Sequence, residues 1–269
     1  MFLQEPAPSR FDLQFNLFRF PVRVAWGFWV AAIVLGWEFA QMLDFILMRG
    51  DVGSPGPAAL LIVWVAAMFI SILVHELGHA LAMRFYGGDA RIVLYHFGGL
   101  AIPNIGAWNA ARRRYSNTPQ TQIVISFAGP AVQFLLAMFV WAVAIAVRMP
   151  NTFSHWVRSF VDLPIADPLP VESPIPFAFV ECLVLPSMFW VVMNLLPVLP
   201  LDGGNIMINL LRLWGRGDTD RTAYAISMTV AGLAAFWGFQ SGQTGLGLMY
   251  VSLLVGNYQM LQSRGQGMW

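Results

Sequence analysis

The sequence predicts an all-α membrane protein: a polytopic bundle of six transmembrane helices with a short membrane-associated β element. Three observations predict it. The chain is 58% hydrophobic and only 11% charged, where soluble domains carry roughly 25% charged residues. Uncharged segments recur along its whole length, and the last of them, Thr222 to Ser263, is about twice as long as one bilayer crossing needs, so it must fold back. The 15 basic residues are all arginine, and all but Arg49, Arg148 and Arg158 gather between alternate apolar segments, as the positive-inside rule expects.

Composition also excludes whole classes of function. A formal net charge of +1 gives no overall basic field for nucleic acid, and no nucleic-acid motif is present. Cys182 is the single cysteine, which excludes an internal disulfide. The first residues lack the basic stretch and short apolar core of a secretory signal, so no cleavage is expected. One membrane domain over 1–269 is expected, with 1–21 as a surface segment and 57–210 as its core.

Taken in order, residues 11–17 alternate apolar and polar side chains, the pattern of a half-buried strand. It is expected on the membrane surface. Residues 24–43 are apolar apart from Glu38 and Gln41 and make a first span. With Arg10, Arg19 and Arg23 before it, the N-terminus is cytoplasmic. The turn chemistry of 49–56 then faces outside. Pro57 suits the first position of a second helix over about 57–84. Residues 91–102 are β-rich around a Gly-Gly pair, a short hairpin or re-entrant element.

A third span is expected at about 121–147, where Ala128-Gly129-Pro130 lets another helix approach closely. The proline-rich 149–176 reads as an external loop. A fourth helix starts near Phe177 and ends in Asn194-Leu195-Leu196-Pro197, Pro200 and Asp202-Gly203-Gly204, which no regular helix can pass straight through. Helices at about 222–240 and 245–262, joined by a glycine-rich turn at 241–247, complete the count. Both termini are then cytoplasmic.

The chemistry centres on His75-Glu76-Leu77-Gly78-His79. Two histidines four apart share one helix face, and the glutamate beside the first reaches the same pocket, which is the spacing of a zinc hydrolase. Between Asp51 and Glu76 there is no charged residue, so the motif closes a membrane-spanning helix. A catalytic zinc has three protein ligands and an open position, so a third must come from elsewhere. The apolar regions offer Glu38, Glu181, Asp202, His96 and Asn194.

Topology separates them. Glu38 and Glu181 fall towards the outer ends of their helices, whereas Asp202 comes at the inward end of the fourth, the depth expected for His79. The bland alternative for Asp202 is a carboxylate that caps a helix after a proline turn. A charged side chain at the bilayer centre costs about 2.5 to 3.5 kcal/mol on insertion scales, a cost that metal coordination offsets. Glu38 and Glu181 otherwise read as interfacial or paired structural carboxylates, and His155 as an exposed loop side chain. Trp26, Trp190 and Tyr250 read as interface anchors or packing.

Taken together, His75-Glu76-Leu77-Gly78-His79, Phe97-Gly98-Gly99, Ala128-Gly129-Pro130 and Asn194-Leu195-Leu196-Pro197 leading to Leu201-Asp202-Gly203-Gly204 resemble the site-2 proteases, intramembrane zinc metalloproteases. The resemblance covers about 57–210. The six-span layout is similar to the compact sporulation-type branch, without a visible PDZ insertion or nucleotide-binding-type regulatory domain. Gln133 stands where the family often has Asn.

The resemblance implies one Zn2+ per chain on His75, His79 and Asp202, with Glu76 as catalytic base. Asn194 and His96 are candidates for substrate binding or oxyanion contact. It also implies a transmembrane protein substrate, hydrolysed in or near its spanning segment; with no eukaryotic sorting signal in the sequence, a prokaryotic inner membrane is expected. Control then falls to a separate membrane protein or to substrate trimming. The strand-like 91–102 is expected to lend an edge to an unwound substrate. The competing class is a metal-ion transporter or channel, since broken helices with intramembrane carboxylates and histidines also build ion paths. Glu76 discriminates: an ion path needs ligands, whereas a hydrolase needs a base that is not one.

Overall fold

In a computed structural model of the chain, the described residues are 5–50, 53–96, 98–103, 118–161, 166–171, 173–215 and 218–266. The Arg112-Arg113-Arg114 run, Asp51, Phe97, Asp162, Glu172 and Arg216 lie outside them.

The alternating N-terminal segment forms two strands where one was expected. β1 (Leu13–Leu17) turns through Phe18 and Arg19 into β2 (Phe20–Val24). Both turn residues adopt positive φ, 49° and 69°, the conformation of a tight two-residue hairpin that usually selects Asn-Gly. Here the turn is held from outside. Arg84 donates to the Phe18 carbonyl at 2.8 Å and lays its guanidinium 3.4 Å from the centre of the Phe20 ring.

The expected element at 91–102 is a hairpin of β3 (Ala90–Tyr95) and β4 (Gly98–Pro103). The two hairpins merge into one sheet of order β1-β2-β3-β4, in which β2 and β3 run parallel with Val22 opposite Ile92. A parallel pair needs a long crossover, and the chain supplies it with α1 (Trp26–Arg49) and α2 (Pro57–Phe85). Among the described residues β4 is left as an edge strand.

α3 (Pro119–Ala146), α5 (Pro174–Asn194), α7 (Thr219–Gln240) and α8 (Thr244–Gln266) supply the remaining long helices. Two short ones were not expected. α4 (Thr152–Arg158) lies inside the proline-rich loop and α6 (Asp202–Trp214) follows the proline turn. The first helix also runs on past 43 through Asp44, whose carboxylate pairs with the Ser54 hydroxyl across the turn.

Among the described residues five helices, α1, α2, α3, α5 and α7, are long and apolar enough to cross a membrane. The sixth expected span, α8, has the length but not the hydropathy, because Asn257, Gln259 and Gln262 fill its second half. Large apolar side chains such as Val34, Leu35, Phe139 and Phe236 cover the outside of the bundle. That is the surface of a multi-pass membrane protein, since a soluble monomer rarely exposes so contiguous an apolar area.

Three buried clusters hold the parts together. One joins α1, α2, α3 and α5 around Leu43, Leu60, Trp64 and Leu183. Trp64 packs so closely on Gly36 that a Cβ there would overlap the indole, and its Nε1 donates to the Ala32 carbonyl at 3.0 Å. A second seats the sheet on α2 through Phe20, Val22, Ile92 and Leu94 against Ile72 and Ala80. The third packs α7 and α8 on the segment before α6, with Tyr250, Leu253 and Ala231 around Val198.

Candidate metal centre

Ser71, His75 and His79 fall one helical turn apart on α2 and are buried on one stripe, as a period near 3.6 requires. Facing them, α3 buries Thr121, Ile125, Gly129 and Gln133 on its own four-residue stripe. The helices meet through small residues. A Cβ on Gly78 would lie 2.6 Å from the Ala128 carbonyl oxygen, and one on Gly129 would overlap the His79 ring.

This close crossing lets α3 orient both imidazoles. The backbone carbonyl of Ile125 lies 2.7 Å from His79 Nδ1. A carbonyl only accepts, so Nδ1 carries the proton and Nε2 is left free for an ion. Pro130 lies one turn further along α3 and has no N–H for the carbonyl four residues back, which loosens the ladder at this turn. His75 Nδ1 lies 2.9 Å from Gln133 Oε1. Gln133 Nε2 donates to Ser71 Oγ at 2.8 Å, and Ser71 Oγ meets Ser187 Oγ of α5 at 2.7 Å. The amide is thereby oriented with its oxygen towards the ring, and three helices share one buried polar chain.

Asp202 closes the site from the first turn of α6. Its carboxylate oxygens lie 3.1 Å from His75 Nε2 and 3.3 Å from His79 Nε2, and the two Nε2 atoms are 3.1 Å apart. Tetrahedral zinc with ligands at about 2.0 to 2.1 Å separates its ligand atoms by roughly 3.3 Å. The three donors fit such an ion in spacing and in chemistry, two imidazoles and one carboxylate.

Glu76 points to the same place without joining the three. It is buried, and the charges of His75, His79 and Asp202 all act on it. A Cβ on Gly99 of β4 would overlap its carboxylate, so the edge strand passes directly over this side chain. Tyr95 of β3 is buried beside them; burial, then the neighbouring Glu76 charge, pushes its phenol up to about 12. It is therefore a neutral hydroxyl at ordinary pH.

The other candidates fall elsewhere. Glu38 is exposed on α1. Glu181 is buried in α5, where its carboxylate accepts from the Thr152 backbone N–H at 2.7 Å, at the start of α4. His96 is exposed at the β3–β4 turn, against the Tyr95 ring and near Gly27 of α1. Asn194, half-buried, ends α5, and among the described residues no hydrogen bond joins it to the three ligands. The residues that sequence reasoning left without a role are Gln133, Ser71 and Tyr95. The four-residue spacing of Ser71 from His75 hinted at one of them, and the resemblance, in which Asn is frequent at the position of Gln133, at another.

Comparison with known proteins follows the same lines. The family model described as peptidase family M50 matches residues 63–237. A protein of Synechocystis sp. that carries the name zinc metalloprotease is 30% identical over 145 residues, 54% of this chain and 30% of that protein. Rip3 of Mycobacterium tuberculosis, also named a zinc metalloprotease, is 28% identical over 239 residues, covering 81% of this chain and 50% of Rip3. The chain thus spans half or less of the length of these curated relatives. Among solved structures, the site-2 protease from Methanocaldococcus jannaschii aligns with a TM-score of 0.48 at 21% identity, over 93% of this chain and 95% of that one.

Proposed function

The chain belongs to peptidase family M50, and from that premise we propose that it is an intramembrane zinc metalloprotease acting on a transmembrane protein substrate. The observation that carries this reading is the triangle of His75 Nε2, His79 Nε2 and the Asp202 carboxylate, with Glu76 beside it. Those three residues hold the ion. Zinc in that position supplies Lewis acidity, which acidifies water and polarises a carbonyl.

The chain's own groups do the rest. Glu76 takes a proton from the attacking water and passes it to the leaving amine, so one C–N bond breaks and the elements of water are added across it. A substrate helix hides its carbonyls in its own hydrogen bonds and must unwind first. The β4 edge, lying over Glu76, offers backbone partners to an extended segment beside the ion. Asn194 and His96 remain candidates for contacting the substrate away from the three ligands.

The reading puts both termini in the cytoplasm, supported by Arg10, Arg19, Arg23, Arg84, Arg91, Arg212 and Arg221, which gather at one end of the bundle by sequence order, and takes the membrane to be a prokaryotic inner one. On this reading the whole of 1–269 acts as one membrane domain with 57–210 as its catalytic core, and control falls to a separate membrane protein or to substrate trimming.

The test is zinc content and product mass for wild type against Glu76→Gln. Wild type is expected to carry one zinc and cut within or beside the spanning segment, and the variant to keep the zinc and cut nothing. Unchanged cleavage by the variant, or zinc-free wild type, would overturn the reading. Metal flux into vesicles that follows Glu76 would instead favour an ion path.

A further inference from the structure

Asp202 reaches the site at the end of an irregular segment, 195–201, and α7 and α8 hold that segment by its backbone. The Leu199 N–H donates to Ser227 Oγ of α7 at 3.0 Å. The Leu199 carbonyl accepts from Asn257 Nδ2 of α8 at 2.7 Å. Both side chains are buried, Ser227 at 0% and Asn257 at 4% exposure. One residue, three before Asp202, is therefore gripped on its backbone donor and its backbone acceptor by two different helices.

The segment has little freedom to absorb a shift of Leu199. A Cβ on Gly203 would overlap the Leu195 carbonyl, and one on Gly204 would press on the Val198 and Leu199 backbone. Asn205 Nδ2 donates to the Pro200 carbonyl at 3.2 Å. The segment from Leu195 to the first turn of α6 is thus packed closely on itself, with Leu199 held inside it. Asn257 is also an expensive residue to bury in apolar surroundings. Its Nδ2 has a second acceptor in Leu253 at 2.8 Å, yet its Oδ1 has no partner among the described residues, a burial that costs free energy unless the side chain is needed.

We propose that Ser227 and Asn257 are positioning residues for the metal centre: by gripping Leu199 they set where the Asp202 carboxylate meets the two imidazoles. The inference rests on the metal reading above. α8 lies beyond the 63–237 match, so this gives the last helix a part in a site whose ligands all come from α2 and α6.

The test uses the full-length chain in detergent, with zinc dissociation constants from chelator competition and melting temperatures of the metal-free protein. Wild type is compared with Asn257→Leu, Ser227→Ala, Asp202→Ala and the doubles Asn257→Leu/Asp202→Ala and Ser227→Ala/Asp202→Ala. Asn257→Leu and Ser227→Ala are each expected to weaken zinc binding by about tenfold, the scale of lost outer-shell support. Neither should weaken it further once Asp202 is gone, because coupled residues are not additive. The metal-free melting temperature is expected to fall modestly in both variants, since each leaves one Leu199 backbone group without its partner.

Wild-type affinity in both single variants, with Asp202→Ala weakened, overturns the grip and leaves the metal reading standing. Equal weakening in both backgrounds shows a merely structural role and overturns it too. Wild-type affinity in Asp202→Ala removes the metal reading, and the inference with it. Should Asn257→Leu fail to fold, Ser227→Ala and its double decide alone.

Discussion

The amide of Gln133 in α3 aims its Oε1 at Nδ1 of His75, 2.9 Å away, so that the opposite ring nitrogen faces Asp202 at 3.1 Å. Losing such a partner costs about 10- to 100-fold in metal affinity. Gln133→Leu is expected to show that loss in chelator competition, whereas Gln133→Glu, which still accepts from Nδ1, stays within a few-fold of wild type. Equal affinity in the leucine variant would remove the orienting role.

Two glycines should separate the metal from the base. Gly129→Ala puts a methyl group into the His79 ring and Gly99→Ala puts one into the Glu76 carboxylate. The first is expected to strip zinc along with activity. The second is expected to keep zinc while cleavage falls by about 10²- to 10⁴-fold, the usual contribution of a positioned base. Metal analysis beside a cleavage assay checks both.

A proline on the free edge of β4 removes a backbone donor without touching a ligand. The Ala101 backbone amide is directed at the Glu76 carboxylate, so it lies on the side of the strand away from β3. Ala101→Pro takes this N–H from Glu76 as well as from the strand edge, and is expected on both counts to slow cleavage of a membrane substrate and leave the zinc content unchanged. Unchanged cleavage would eliminate the edge as a substrate contact.

The N-terminal hairpin should loosen in acid. Burial pushes the Asp12 carboxyl up, but the Ser9 and Trp26 backbone N–H groups and Arg23 outweigh it and hold the group below its ordinary value. A carboxylate whose folded pKa is depressed adds stability that is fully present above the unfolded value of about 3.9 and is lost as pH falls through the folded one. Protection of β1 and β2 amides against hydrogen exchange, relative to the unfolded chain at the same pH, is expected to fall below about pH 4 in wild type. In Asp12→Ala it should be lower already at neutral pH and should lack that acid step.

The two histidines and Glu76 were legible in sequence because helical period alone puts i and i+4 on one face, whatever the rest of the chain does. Asp202 was legible through hydropathy and topology, which leave few carboxylates at that depth. His96 and Asn194 sit near the right elements, but the structure does not bring them to the three ligands.

The sheet was half hidden. Pattern revealed β1 and the β3–β4 hairpin. β2 escaped because its turn, Phe18-Arg19, lacks the usual residues and is held by Arg84, sixty-odd positions away.

Sequence by itself determined the membrane class, the long helices and which residues could offer donor atoms to an ion, since these follow from hydropathy, periodicity and residue chemistry, all local properties. Only the tertiary structure decided that α3 supplies Gln133 and the Ile125 carbonyl to the imidazoles, that β4 passes over Glu76, and that α7 and α8 hold Leu199. Those relations depend on how closely helices cross at Gly78 and Gly129 and on which strand pairs with which. Contacts between segments far apart in the chain leave no periodic trace in it.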